Sequence, residues 1–160
     1  MVSLWFTNTL SAQPAKTWYD ASIDGNAQLD AAISKVKGTK KYILVQVGGD
    51  WCRWCIKLNQ TIEGDAELSK LMNEKYEWVH LHYDKKNNRN EKAMERLKNP
   101  TSHGFPVFVL LDSHGHHLKT FPTGELEEGN GYSHAKLVTF LQSAPQQSSN
   151  AMSPVPPKEN

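Results

Sequence analysis

The run YILVQV at residues 42–47 is apolar except for one glutamine, ends in Gly48-Gly49, and is followed at once by Asp50-Trp51-Cys52-Arg53-Trp54-Cys55. A short apolar run bounded by glycines reads as a buried strand. The residues from Trp51 to Glu63 read as a helix, which Gly64 breaks. A strand running directly into a helix with two cysteines at its start constrains the fold more than any other feature of the chain. The chain of 160 residues has 2 cysteines, and both lie here. A structural disulfide framework needs several cysteines spread along the chain. A closed zinc site needs four ligands, of which this stretch offers two. A pair that makes and breaks a bond with itself needs two and no more.

Other segments alternate around this unit. Asp24 to Lys37 places Leu29, Ile33 and Val36 at helical spacing, with Gly38 as a stop. Asp65 is a candidate cap for a second helical stretch, Glu67 to Tyr76. Residues 78–84 alternate like a strand. Asn90 to Lys98 forms a short helix with Ala93, Met94 and Leu97 on one side. Residues 106–112 make a third strand, turned by Ser113-His-Gly-His116 into a return strand over His117 to Phe121. Ser133 to Ser143 closes the domain as a helix facing inward through Leu137, Val138 and Leu141. The expected architecture is a mixed α/β sheet of about four to five strands with helices on both faces.

Composition removes several classes of function. Hydrophobic content of 38% with 22% charged residues fits a globular chain and excludes a membrane bundle. The net charge of +1 has no dense basic cluster beyond Lys85-Lys86, so nucleic acid is not an expected partner. Residues 1–22 read as a flexible N-terminal segment. Their apolar start turns small and polar at Ser11-Ala12-Gln13, and two readings stay open: a loose terminus, or a secretory signal whose beginning is missing. Residues 23–144 form the domain, and 145–160, rich in Pro, Ser, Gln and Asn, read as a disordered tail.

Trp51-Cys52-x-x-Cys55 after a buried strand, with Gly104-Phe105-Pro106 opening a hairpin some fifty residues later, resembles the thioredoxin superfamily. The resemblance covers roughly Ala27 to Ala144. Within it, Cys55-x-x-Leu58 and Asp65-x-x-Leu68 are similar to the thioredoxin-like domains of exported proteins and of membrane-borne electron transporters. It implies a disulfide oxidoreductase with Cys52 and Cys55 as its redox pair. Its partners would be disulfide-containing or dithiol proteins, with a membrane-borne electron donor, in an exported or periplasmic setting. No cofactor is expected. Nothing in the chain resembles the dimerisation domain of a dedicated isomerase, so a monomer that reduces or exchanges disulfides is expected.

On this reading Cys52 sits at the first turn of a helix, where unpaired N–H groups and the dipole favour an anion by ~0.3–2 kcal/mol. Arg53 adds a positive charge, and together they should bring the thiolate near ambient pH, where attack on a disulfide is efficient. Cys55, one turn on, would resolve the mixed disulfide. The family's reductants usually carry Gly-Pro between the cysteines and its oxidants often a His. Arg53 therefore pushes toward a more oxidising couple, and Trp54 either shields the pair or offers partners a flat apolar contact. Trp51 completes the set of tuning residues.

Pro106, which the family holds in cis beside the cysteines, and Phe105 before it would border the substrate groove. A buried acid often lies six residues before the first cysteine in the family. Gln46 stands there and cannot titrate. Either water, Asp50 or Lys57 takes the Cys55 proton, or that step is slow; the plainer reading of Gln46 is a hydrogen-bonded polar residue of the strand, the commoner fate of a buried amide. His80 and His82 on one strand face, and His114, His116 and His117 at a turn, read as packed or solvated groups rather than ligands, so no metal is expected. Two other readings stay open: a metal-binding CxxC module, and a redox-silent adaptor of the same fold that binds partners through the Pro106 groove.

Overall fold

The strand β1 (Tyr42–Gly48) is flanked on both edges, parallel to β2 (Tyr76–His82) and antiparallel to β3 (Val107–Leu111). It is therefore central, which explains a sequence apolar on both faces. The computed structural model describes residues 14–149. Its main sheet runs β2-β1-β3-β4, with β4 spanning His117–Pro122 as the return arm of the expected hairpin. Parallel pairing of β1 with β2 requires a crossover. The chain supplies it through α2 (Arg53–Gly64) and α3 (Ala66–Lys75).

Alternation along β1 divides the core in two. Ile43, Val45 and Val47 face Leu29, Ala32 and Val36 of α1 (Gly25–Val36), together with Ala93 and Met94 of α4 (Glu91–Arg96). Leu44, with Phe108 and Leu110 of β3, faces Leu58 and Ile62 of α2, Leu68 and Met72 of α3, and the last helix. Gln46 follows Leu44 on that second face, so the strand aims its one polar side chain behind the cysteine helix.

Local chemistry sets the helix ends. The Asp24 carboxylate accepts the Ala27 N–H at 2.9 Å and starts α1, and Gly38 follows its end at φ 77°. Asp65 ends α2 and caps α3, accepting the Leu68 N–H at 2.9 Å. Several boundaries differ from the sequence reading, and one element is added. The cysteine helix begins at Arg53 rather than Trp51, because Cys52 is its cap. Tyr76 opens β2 instead of closing α3, its backbone already extended at φ -131, ψ 148. A small hairpin of β5 (Glu127–Glu128) and β6 (Gly131–Tyr132) precedes the last helix.

That last helix, α5 (His134–Ser149), runs past the expected end at Ser143 with Pro145 inside it. The first residues of the supposed tail are therefore helical, and residues 150–160 lie outside the described residues. A proline lacks the N–H that would bond the carbonyl four residues back. That carbonyl, of Leu141, instead accepts the Tyr76 hydroxyl at 2.7 Å, and the next one, of Gln142, accepts Lys75 Nζ at 3.0 Å.

Candidate active site

Cys52 is the N-cap of α2, with extended backbone at φ -96, ψ 108. Its carbonyl accepts the Ile56 N–H at 3.1 Å, and its sulfur accepts the Cys55 N–H at 3.2 Å. Unpaired N–H groups converge at a cap, so negative charge on this sulfur meets donors and the positive end of the helix. The first turn of α2 has no acidic residue to cancel that field. Cys55 follows one turn later, with Cα atoms 5.2 Å apart and the two sulfurs joined as a disulfide. Cys52 keeps 7% exposure and Cys55 none, which decides which sulfur a partner can reach.

Within the segment before residue 23, Trp18 and Tyr19 are held against the domain. The Trp18 and Tyr19 amides donate to the two oxygens of Asp50 at 3.2 and 3.3 Å, and the Trp18 indole donates to Glu63 at 3.0 Å. Tyr19 is 6% exposed and packs in one cluster with Cys52 and Cys55. Residues 1–13 lie outside the described residues. A Cβ on Gly48 would fall 2.5 Å from Cys55 Sγ and 3.1 Å from the Tyr19 hydroxyl. The glycine at the end of β1 is thus where strand, buried sulfur and tyrosine close on one another.

Gln46 is fully buried and fully engaged. Its Nε2 donates to the Tyr19 oxygen at 2.6 Å and to Asn59 Oδ1 at 2.9 Å, while its Oε1 accepts the Trp78 indole N–H at 3.2 Å. His80 lies opposite Gln46 in the β1–β2 register, with Nε2 3.0 Å from Asn59 Oδ1. Burial pushes the His80 pKa down to about 4, against the opposing pull of Glu63 and Asp50, so its ring is neutral near pH 7. The two groups considered as proton acceptors are committed elsewhere. Asp50 holds the two backbone amides, and Lys57 donates to the Asn130 carbonyl while lying 4.6 Å over the Trp54 ring.

Trp51 stands 54% exposed, edge-on to Phe105 at 5.4 Å, its indole N–H bonded to the Tyr83 carbonyl at 2.9 Å. Phe105 stacks on Tyr83 at 5.3 Å and packs against the cluster of Tyr19 and the cysteines. The Phe105–Pro106 peptide bond is cis, and the Pro106 carbonyl accepts the hydroxyl of the buried Thr123 at 2.6 Å. Arg53 occupies the first helical position, exposed, and Trp54 packs edge-on to Tyr132 at 5.5 Å. The structure thus gathers Trp51 and Phe105 beside Cys52, with Cys55 buried beneath, while Trp54 packs against the same cysteine cluster and meets the β5–β6 hairpin through Tyr132.

Tyr19 and Asn59 escaped the sequence reading, and His80 was read as a packed or solvated group without its place beside Gln46. Asn59 had a signal, since it follows Cys55 by four residues on one helical face. His80 was visible only as a strand histidine, and Tyr19 had no periodic pattern around it. The ligand-type atoms of Asp112, His114 and His116 lie within 4.8 Å of one another, the one such group of three or more His, Cys, Asp or Glu among the described residues. Asp112 also accepts the His114 and His116 amides at 2.8 and 2.9 Å, so the turn itself accounts for the grouping. It lies at the Leu111 end of β3, remote from the cysteines at the Val107 end.

The family model described as Thioredoxin-like matches residues 24–113, and the chain belongs to that family. A relative from Chlamydia pneumoniae, disulfide bond reductase DsbH, is 24% identical over 102 residues, covering 61% of each protein. The chain therefore spans less than two thirds of that relative's length. Among solved structures, a disulphide isomerase from Xylella fastidiosa Temecula1 superposes with a TM-score of 0.72 at 23% identity, over 82% of this chain and 99% of that one. A DsbH oxidoreductase structure gives 0.55 at 24% identity, over 88% and 94%. Both likenesses are of fold. Among the described residues no helix is long and apolar enough to cross a membrane.

Proposed function

We propose that this protein is a thiol–disulfide oxidoreductase acting on protein or peptide disulfides, as a reductant or general exchange catalyst rather than a dedicated isomerase. The observation that carries this reading is the asymmetry of the pair: Cys52 capping a helix and still 7% exposed, Cys55 wholly buried one turn behind it. In the reduced protein the Cys52 thiolate attacks one sulfur of the partner disulfide, and the other leaves as a thiolate. Cys55 then attacks Cys52, the internal disulfide forms, and the partner departs with two electrons. The relative named a disulfide bond reductase supports this direction of flow.

The partner surface is the aromatic edge beside Cys52. Trp51, Tyr83 and Phe105 line an open groove of about 610 Å³, which Lys85 and Lys86 also line. Recharging the oxidised pair requires a dithiol donor. In an exported setting that donor would be held in the membrane, and the protein would work as a monomer.

Thiol trapping tests the reading. Cys55→Ser should accumulate mixed disulfides through Cys52 that dithiothreitol discharges, and Cys52→Ser should accumulate none. Equal trapping by the two variants, or by neither, would end it. Equilibration of the wild-type couple with glutathione then fixes direction, a potential near about −270 mV marking a reductant and one near about −120 mV an oxidant.

A further inference from the structure

Cys55 must be ionised to displace a partner from Cys52, yet the strand position behind it holds an amide with no proton to exchange. The bonds around Gln46 define what stands in. An indole N–H donates and nothing else, so the Gln46 atom that meets Trp78 is the oxygen. Nε2 is then left to give its two hydrogens, one to Asn59 Oδ1 and one to the Tyr19 oxygen. The Tyr19 oxygen is an acceptor in that bond, which leaves its own hydrogen to donate; Asn59 also lies within reach of the hydroxyl, but its Oδ1 already meets Gln46 Nε2 and His80 Nε2. Over Gly48 the Tyr19 hydroxyl shares the space beside the Cα with the Cys55 sulfur, inside one buried cluster.

We infer that the Tyr19 hydroxyl donates its hydrogen to the Cys55 sulfur once the disulfide opens, stabilising the thiolate that resolves the mixed disulfide. This rests on the exchange reading above. As Cys55 loses its proton to water, its sulfur bonds to Cys52 and the Cys52–partner bond breaks. The partner leaves as a thiolate, which takes a proton from water. Tyr19 gives up no proton; it supplies a hydrogen bond to the charged form, which favours that form.

Other charged and titratable groups do not substitute for it. Asp50 is bound to the Trp18 and Tyr19 amides, the His80 ring is neutral and bonded to Asn59, and Lys57 is turned to Asn130 and Trp54. Glu63 and Lys16 pair with each other at the surface, and Tyr132 meets Trp54. Burial and the neighbouring Asp50 charge hold the Tyr19 phenol far above its ordinary value, so it remains a donor across the working range.

Stopped-flow reaction of the reduced protein with an aromatic disulfide whose thiolate absorbs tests this directly. The first release reports capture by Cys52 and the second reports attack by Cys55. In Tyr19→Phe the second release should slow about tenfold at neutral pH, its pH profile moving up by about one unit. The first release should stay within about twofold of wild type. Replacing Tyr19 by 3-fluorotyrosine keeps the shape and strengthens the donor, and should move the second profile down; this arm decides the matter if Tyr19→Phe does not fold. An unchanged second profile in a folded Tyr19→Phe, or no shift with fluorotyrosine, overturns the inference and leaves the exchange reading standing. Wild-type protein that releases no thiolate overturns both.

Discussion

The Tyr76 hydroxyl donates to the Leu141 carbonyl at 2.7 Å, the carbonyl that Pro145 has no N–H to reach. The first residue of β2 thus repairs a break in α5, 65 positions away. A buried carbonyl without a donor costs about 1–3 kcal/mol. Tyr76→Phe should lower stability by that amount in urea denaturation. Pro145→Ala restores a backbone donor, so the same change in that background should cost clearly less. Strict additivity of the two substitutions would show that the hydroxyl is not compensating for the proline.

Stability should also depend on the charge of His80. Its pKa is about 4 in the fold against an ordinary 6.5. Between those values the unfolded chain binds more protons than the folded one, so stability falls as acid is added. The contribution is complete above pH 6.5 and disappears as pH falls through 4, with a ceiling of about 3 kcal/mol from a shift of this size. His80→Gln should flatten the curve in that window, apart from a part owed to His117, whose pKa is also held down by burial. The carboxylates of Asp20, Asp65, Asp84 and Asp112 are held below their ordinary value and titrate lower still. A wild-type curve flat from pH 6.5 to 4 would contradict the buried neutral ring.

Trp51 should matter to protein partners and little to small ones. Of the large apolar side chains among the described residues, only Ile23 and Trp51 are exposed, and Trp51 forms the rim of the groove beside Cys52. An exposed indole held by its own hydrogen bond is a ready anchor for a partner chain. Trp51→Ala is expected to lower kcat/KM for a protein disulfide about tenfold, roughly 1.4 kcal/mol, while a small aromatic disulfide reacts within about twofold of wild type. Equal loss on both would assign Trp51 to the chemistry of Cys52 instead of to recognition.

The strand–CxxC–helix unit, the Asp65 cap, the β3–β4 hairpin and the positions of Leu29, Leu44 and Leu137 in the core were legible from residues close together in the chain. Each depends on a repeat, a cap or a turn whose physics acts over a few positions. Gln46 was legible as an amide standing where the family often has an acid, and as a strand residue with hydrogen bonds to fill. What surrounds it was not, because its hydrogen-bond partners come from residues 19, 59 and 78 and a buried amide accepts any donor or acceptor that packing delivers.

The reach of α5 past Pro145 and the ordering of Trp18 and Tyr19 belong to that second kind. Local rules stop a helix near a proline and leave an unpatterned terminus loose. Both were overridden by side chains distant in the chain, Tyr76 and Lys75 in one case and Asp50, Glu63 and Gln46 in the other. The sequence alone determined where the reactive sulfurs sit and which helix end holds them, since spacing and capping are local. Which polar groups meet the buried sulfur was decided by tertiary packing, which brings together side chains whose separation along the chain carries no periodic signal.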